Sequence, residues 1–330
     1  MTIASAEARP LAGLGENAWV RFALRRLRRL IASMLVLVTA AFLMIHLIPG
    51  DPVRAALGLT APQSLVNQRR AALGLDLPLW LQYAHYIRNL FEGNMGTSIS
   101  SGLPVSQTIA QHLPATFELA VYAFAVSLLI SVPLGTVMAV LTRGGRGRSA
   151  ELTFTSVSVV IATIPGFVLA VALVYIFSVQ LHWTPVAGQS GFGSYILPVL
   201  ALALGPAFIL ARVLRVEMLA VLQADYIRTA RAKRLPGWLV YLRHALPNAL
   251  TATITLSGLL LSALVAGTVL VENVFAWPGL GSTIVQSIVA KDYPVVQGIV
   301  LVYGAGVLLV NLIVDILLAV IDPRSTIRES

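Results

Sequence analysis

The stretch Asp225-Tyr226-Ile227-Arg228-Thr229-Ala230-Arg231-Ala232-Lys233-Arg234-Leu235, closed by Arg243-His244-Ala245-Leu246-Pro247, decides how this chain is read. It is a basic helical segment between two long apolar runs, 196–222 and 250–275. Charges at this density cannot lie in hydrocarbon. With apolar helices on both sides, the segment belongs on a membrane surface, as a short cytoplasmic helix within reach of a soluble partner.

Composition agrees. The 330 residues are 57% hydrophobic and 11% charged, against roughly 25% charged in an ordinary soluble domain. A net charge of +9 raises the question of nucleic acid. The basic residues, however, fall in clusters between apolar runs, as the positive-inside bias places them. No nucleic-acid partner is expected. The chain has no cysteine, which excludes disulfides, thiolate metal sites and a cysteine nucleophile.

Six apolar runs reach the roughly 20 residues needed to cross a bilayer. They lie at about 30–48, 115–141, 153–179, 196–218, 251–275 and 297–321. The third contains Pro165-Gly166, where a kink or local unwinding is expected. The first follows Arg21, Arg25, Arg26, Arg28 and Arg29. A cleaved signal peptide is the alternative there, with an apolar core of roughly 7–15 residues and a small-residue cleavage site. Here the run is longer and ends in Ile48-Pro49-Gly50-Asp51-Pro52, so it is read as an uncleaved first helix.

The arginines give the orientation. Those before the first helix place the N-terminus in the cytoplasm, and six crossings return the C-terminus to the same side. Arg143, Arg146 and Arg148 then fall in one cytoplasmic loop, and Arg228, Arg231, Lys233, Arg234 and Arg243 in the next. The external 180–195 stretch carries no lysine or arginine, and the other short external loop carries Lys291 opposed by Asp292. The expected organisation is a cytoplasmic segment 1–29, a first helix 30–48 and an extracytoplasmic subdomain 49–114. A transmembrane domain 115–321 follows, with a cytoplasmic loop 223–249, and then a cytoplasmic tail 322–330. Within 49–114, Gln63 to Leu73 and Leu79 to Phe91 read as short amphipathic helices. Trp80, Tyr83, Ile87 and Phe91 recur at helical spacing in the second. Gly93 to Pro104 is turn-rich. A cap packed on the bundle and a docking surface for an external partner both fit this segment.

Catalytic signatures are missing. There is no G-x-x-x-x-G-K-[ST], so no P-loop nucleotide site, and no H-E-x-x-H or G-x-S-x-G. The histidines at 46, 85, 112, 182 and 244 lack metal-ligand spacing, and no metal site is expected. A membrane-embedded enzyme or sensor would need a nucleophile–base pair or a metal cluster across the spans, and none can be placed. Four polar residues inside the spans stand out because their burial in lipid is costly. Glu118 and Glu272 lie near outer helix ends, where snorkelling to the interface is the plain reading. Asp315 has Asn311 one turn earlier on the same face. It is expected to be held by a polar partner on a facing helix, with a proton relay as the sharper alternative.

Taken in order, several stretches resemble the B-type permease subunit of bacterial dipeptide/oligopeptide and nickel ABC importers, over about residues 26–324. They are Leu47-Ile48-Pro49-Gly50-Asp51-Pro52, Leu73-Gly74-Leu75-Asp76, Gly96-Thr97-Ser98, Leu113-Pro114-Ala115-Thr116-Phe117-Glu118-Leu119 and Ala211-Arg212. The 225–233 stretch and Arg243-His244-Ala245-Leu246-Pro247-Asn248-Ala249 follow. Glu272-Asn273-Val274-Phe275, Trp277-Pro278-Gly279-Leu280-Gly281, Asp292-Tyr293-Pro294, Asn311 with Asp315, and Asp322-Pro323-Arg324 complete the set.

The resemblance implies an all-α integral membrane protein with six transmembrane helices, of the type I (MetI-like) importer permease fold. It implies import of dipeptides or oligopeptides by alternating access, with nickel or another small solute as the alternative cargo. The implied partners are a homologous C-type permease, two ATPase subunits that hold the ATP and Mg, an extracytoplasmic substrate-binding protein and membrane lipid. No cofactor is implied for this chain, and it is implied to be non-catalytic. Family permeases carry a cytoplasmic E-A-A-x-x-x-G-x9-I-x-L-P motif. Arg228-Thr229-Ala230 takes the E-A-A place, and Leu246-Pro247 the final pair. Tyr226, Arg228, Thr229, Ala230, Arg231, Ala232, Lys233, Arg234, Leu246 and Pro247 are thereby implied to dock the ATPase. Ala230 is implied to be small so that the helix can seat in the ATPase groove. Arg234 stands where the motif has glycine, and the turn is expected three residues on, at Pro236-Gly237. The external stretches 49–114 and 276–296 are the implied binding-protein contacts.

Overall fold

The computed structural model describes residues 16–46, 52–58, 60–72 and 74–321, and among them the architecture is all-helical. The expected tail 322–330 and Pro49-Gly50-Asp51 lie outside the described residues.

The first helix, α1, runs Glu16–His46. It begins well before the expected residue 30. Leucine and arginine are both strong helix formers, so the helix continues through the arginine cluster that precedes its apolar stretch. Three short helices follow: α2 Pro52–Leu57, α3 Gln63–Ala72 and α4 Leu79–Phe91. Helix α5, Val105–Leu141, has 37 residues and so spans about 55 Å. It starts some ten residues before the expected span, and its first turns extend past any 30 Å hydrocarbon layer.

The third expected span is two helices, α6 Arg148–Thr163 and α7 Gly166–Leu173, the second extended by a π-helical segment Val174–Gln180. They meet at a bend of 98°. Pro165 supplies the cause, because it has no amide to continue the ladder and disfavours helical geometry at Ile164. Next come α8 Phe192–Val221, α9 Asp225–Ala232, α10 Gly237–Leu239, α11 Leu246–Val274, α12 Leu280–Val289 and α13 Tyr293–Ile321. A π-helical stretch, Val240–Ala245, joins α10 to α11. Among the described residues five helices are long and apolar enough to cross a membrane, and the number is six where the bent pair counts as one span. The expected loop 276–296 contains the ten-residue α12.

The core lies between α5 and α8. Along α5 the buried residues Ala115, Leu119, Ala123, Ser127, Ser131, Gly135 and Ala139 recur every fourth position. Along α8, Val199, Ala203, Ala207 and Ala211 do the same. Two stripes of mostly small side chains let the helix backbones approach closely, which is how helices associate where water provides no hydrophobic drive. At Gly135 a Cβ would sit 2.7 Å from the Ala211 carbonyl oxygen, so only glycine fits.

Helix α1 lies antiparallel to α13. Arg26 pairs with Asp315, and Gln297 Nε2 donates to the Ala41 carbonyl at 2.9 Å. Helix α4 covers the far end of α1. Tyr83 and Thr39 share a hydroxyl hydrogen bond of 2.7 Å, and His46 Nε2 meets Gln82 Oε1 at 2.9 Å. Of the predicted stripe on α4, Tyr83 and Ile87 are half-buried, while Trp80 and Phe91 are exposed.

Candidate functional site

Helix α9 is amphipathic. Ile227 and Ala230 point into a cluster with Leu214, Met218, Leu222, Val240, Ala245 and Ala249. Tyr226, Arg228, Thr229, Ala232, Lys233 and Arg234 are exposed; Arg231 and Leu246 are half-buried and Pro247 is exposed. The structure thus corrects the expected role of Ala230. It is 7% exposed, and its small size lets α9 lie close on this chain's own helices. The outward strip is Tyr226, Thr229 and Lys233, spaced as one helix face.

Arg234 corrects the expected turn. Its φ is +54°, in the left-handed region. Its amide donates to the Arg231 carbonyl at 2.9 Å, and the Leu235 amide to the Ala230 carbonyl at 3.4 Å. These two bonds form a Schellman cap with arginine in the usual glycine place. The turn therefore stays at the motif position, and Pro236-Gly237 instead starts α10. The same device ends α11 and α12, with Ala276 (φ +45°) and Lys291 (φ +58°) at the left-handed position. It aims the next residues, Trp277 and Asp292, back into the protein.

Beside α9 a cleft of about 380 Å³ is lined by Arg143, Arg228 and Arg231. Burial, and then the Arg143 guanidinium, push the Arg231 pKa below its ordinary value. An acidic group on a partner or a lipid phosphate in the cleft would relieve that repulsion. Arg228 already pairs with Asp225 at 3.1 Å.

At the opposite end of the bundle, Glu272 is 0% exposed. The snorkelling expectation fails for it. Its carboxylate accepts from Thr116 Oγ1 at 2.8 Å, Gly281 N at 2.6 Å and Ser282 N at 3.2 Å. It caps the first turn of α12, where free amides and the helix dipole favour an anion. Thr116 Oγ1 also accepts the Leu280 amide at 2.8 Å. Trp277, likewise 0% exposed, donates Nε1 to the Ala115 carbonyl at 3.1 Å. A Cβ on Gly281 would sit 2.8 Å from Glu272 Oε2 and 2.5 Å from Val269 Cα. Three of the quoted stretches, around Thr116, Glu272 and Gly281, are thus one locked joint between α5, α11 and α12.

A second carboxylate ties down the 93–104 turn. Asp292 Oδ1 accepts the Ile99 amide at 3.0 Å. Oδ2 accepts the Ser100 amide at 3.2 Å, Ser100 Oγ at 2.6 Å and the Ser98 hydroxyl. Burial pushes the Asp292 pKa up, and the bonds from Ser100, Ser98 and the two amides outweigh it, so the pKa ends below its ordinary value. Two more of the quoted stretches, Gly96-Thr97-Ser98 and Asp292-Tyr293-Pro294, therefore meet.

Glu118 accepts from the Tyr195 hydroxyl at 2.9 Å, and that ring packs edge-on against Trp277 at 4.7 Å. Asn311 Oδ1 accepts from Ser262 Oγ at 2.8 Å, and Asp315 takes its partner from α1. Both side chains thus meet polar partners on other helices of this chain. Thr116, Trp277, Ser98, Ser100 and Arg26 escaped the sequence reading as contact residues. Their signal was present only as members of quoted stretches, of the turn-rich segment 93–104 or of a basic cluster.

Comparison with known proteins accords with this architecture. Residues 131–327 match the family described as binding-protein-dependent transport system inner membrane component, and residues 19–120 match its N-terminal counterpart. A glutathione transport system permease protein of Pectobacterium atrosepticum is 40% identical over 305 residues, covering 92% of this chain and 98% of that one. A putative peptide transport system permease protein of Brucella suis biovar 1 is 40% identical over 309 residues, covering 91% and 97%. Among solved structures, an inward-facing form of the MetNI methionine ABC transporter aligns with a TM-score of 0.56 at 18% identity, covering 66% of this chain and 97% of that one. That likeness is one of fold. The chain belongs to the binding-protein-dependent transport system inner membrane component family, and it is a multi-pass, non-catalytic permease subunit of an ABC importer.

Proposed function

We propose that this permease imports short peptides, glutathione-sized tripeptides among them, by alternating access. The observation that carries the cargo assignment is the 40% identity, nearly end to end, to permeases named for glutathione and peptide transport. The partners in this reading are a second homologous permease, two ATPases that bind ATP and Mg, and an extracytoplasmic binding protein. The outward strip of α9 docks one ATPase. The 93–104 turn and α12, each fastened by a buried carboxylate, form the surface that receives the loaded binding protein. Both termini and 225–247 face the cytoplasm, while 49–114 and 276–296 face outward. The antiparallel course of α1 and α13 supports an even number of crossings between them.

Two measurements test this. Cells producing the complete importer are expected to accumulate labelled di- and tripeptides; accumulation of nickel without peptide would overturn the cargo. Since the chain has no cysteine, a Gly237→Cys variant reports topology directly. Labelling of that cysteine by an impermeant reagent added outside intact cells would overturn the orientation.

A further inference from the structure

The bend between α6 and α7 leaves main-chain carbonyls without partners midway along the bent pair, among half-buried and exposed residues. The Ile164 amide reaches back to Val160, and the Val168 and Leu169 amides both donate to Pro165. Pro165 has no amide to offer Ile161. Among the described residues nothing donates to the carbonyls of Ala162, Thr163 or Ile164 across the break. These residues line a cavity of about 420 Å³ whose other walls are α8 and α11. On the α8 wall, Pro206 removes the amide that would pair with the Leu202 carbonyl, and Leu202 also lines the cavity. The break at Pro165 and the proline at 206 thus leave residues with unpaired carbonyls, 162–164 and 202, lining one space. No lining side chain is charged. Gly205, at the middle of α8, has nothing within 4 Å of where a Cβ would stand.

Unpaired backbone at membrane depth is tolerated only where protein buries it or water reaches it. An open cavity favours the second. We propose that this cavity is a station on the translocation path, at which freed carbonyls of residues 162–164 and 202 accept hydrogen bonds from the amide and ammonium donors of a peptide. The inference rests on the peptide reading above and adds a place and a mode of recognition. Acceptors supplied by backbone, without side-chain charge, hold a peptide by what all peptides share. Such a station tolerates varied side chains, and the room left by Gly205 sets the bulk that passes.

The test uses the whole importer, reconstituted with its partners. In a Gly205→Cys variant, the single thiol is expected to react with a polar thiol reagent during turnover, and more slowly when cargo peptide saturates the system. A thiol that stays unreactive, or one that reacts at a rate cargo does not change, would overturn the station. In Gly205→Leu, ATP hydrolysis stimulated by loaded binding protein should persist while peptide uptake falls roughly tenfold or more, since the added side chain occupies the open space through which the cargo would pass. Uptake equal to wild type would also overturn it. If Gly205→Leu does not assemble, the cysteine measurement decides. Wild-type importer that moves another solute but no peptide would sink the cargo reading itself, which this variant cannot do.

Discussion

Arg26 Nη1 lies 2.7 Å from Asp315 Oδ2, joining the arginine-rich start of α1 to the last turns of α13. Both side chains are about a quarter exposed, so the pair stands between a surface bridge and a buried one. Asp315→Leu leaves Arg26 uncompensated beside an apolar wall, and the loss is expected at roughly 1–3 kcal/mol. Thermal unfolding in detergent should show a lower midpoint. The exchange Arg26→Asp with Asp315→Arg should recover part of it. Equal midpoints for wild type and Asp315→Leu would show that the pair contributes no net stability.

The joint around Glu272 gives a sharper expectation. Gly281→Ala forces a methyl between Glu272 Oε2 and Val269 Cα, at 2.8 and 2.5 Å. Overpacking of this kind costs about 1–3 kcal/mol. Glu272→Ala removes the acceptor of two buried amides and one hydroxyl, and each unsatisfied buried group costs about 1–3 kcal/mol. Both variants should accumulate poorly in membranes, and Glu272→Ala the more so. Normal yield and melting of Glu272→Ala would refute the capping role.

Asp292 makes one region sensitive to acid. Its folded pKa lies below the ordinary 3.8. A carboxyl whose pKa folding depresses contributes stability above its unfolded value and loses it as pH falls through the folded value. The protection of the Ile99 and Ser100 amides against hydrogen exchange should therefore be full near neutrality and decline only below about pH 4. In Asp292→Asn it should be low throughout. Protection that is the same in both proteins at neutral pH would show that the carboxylate does not hold the turn.

What could be read from the sequence was what periodicity and composition carry. The apolar runs located the crossing helices, and the limits of α4, Leu79 and Phe91, were legible from its own spacing. The start of α1 was not, because arginine ends an apolar run without ending a helix. The α5–α8 stripes were hidden in runs apolar on every face, where hydropathy cannot tell the packed side from the lipid side. Glu272 was misjudged because its partners, Thr116 and two amides of α12, are distant in sequence or belong to the backbone. The Schellman ends were invisible for want of glycine: arginine, alanine and lysine hold the left-handed positions.

Those ends can be probed at Arg234. An L-residue in the left-handed region costs roughly 1–2 kcal/mol relative to glycine. Arg234→Gly is expected to stabilise the α9–α10 turn by up to about 1 kcal/mol, after the greater freedom of glycine in the unfolded chain is counted. Arg234→Val, branched at Cβ, should destabilise it. Amide exchange at Leu235 reads both, and slower exchange in Arg234→Val than in wild type would contradict the assigned turn.

The two faces of α9 make separable predictions. Ala230 is packed against Leu214, Met218 and Val240 in this chain's own core. Ala230→Trp should therefore harm the permease itself, by roughly 1–3 kcal/mol or more, and lower its level in membranes whether or not ATPases are present. Thr229 is exposed, its hydroxyl turned back to the Asp225 carbonyl at 3.1 Å. Thr229→Trp adds bulk outside the core, so the permease should fold and melt as wild type does. If the outward strip of Tyr226, Thr229 and Lys233 seats in an ATPase groove, the added ring disrupts that seat. Co-purification of the ATPases and peptide uptake should then fall together, with permease level unchanged. A Thr229→Trp importer that retains its ATPases and transports at the wild-type rate would remove α9 from the docking surface, while the effect of Ala230→Trp on folding would stand regardless.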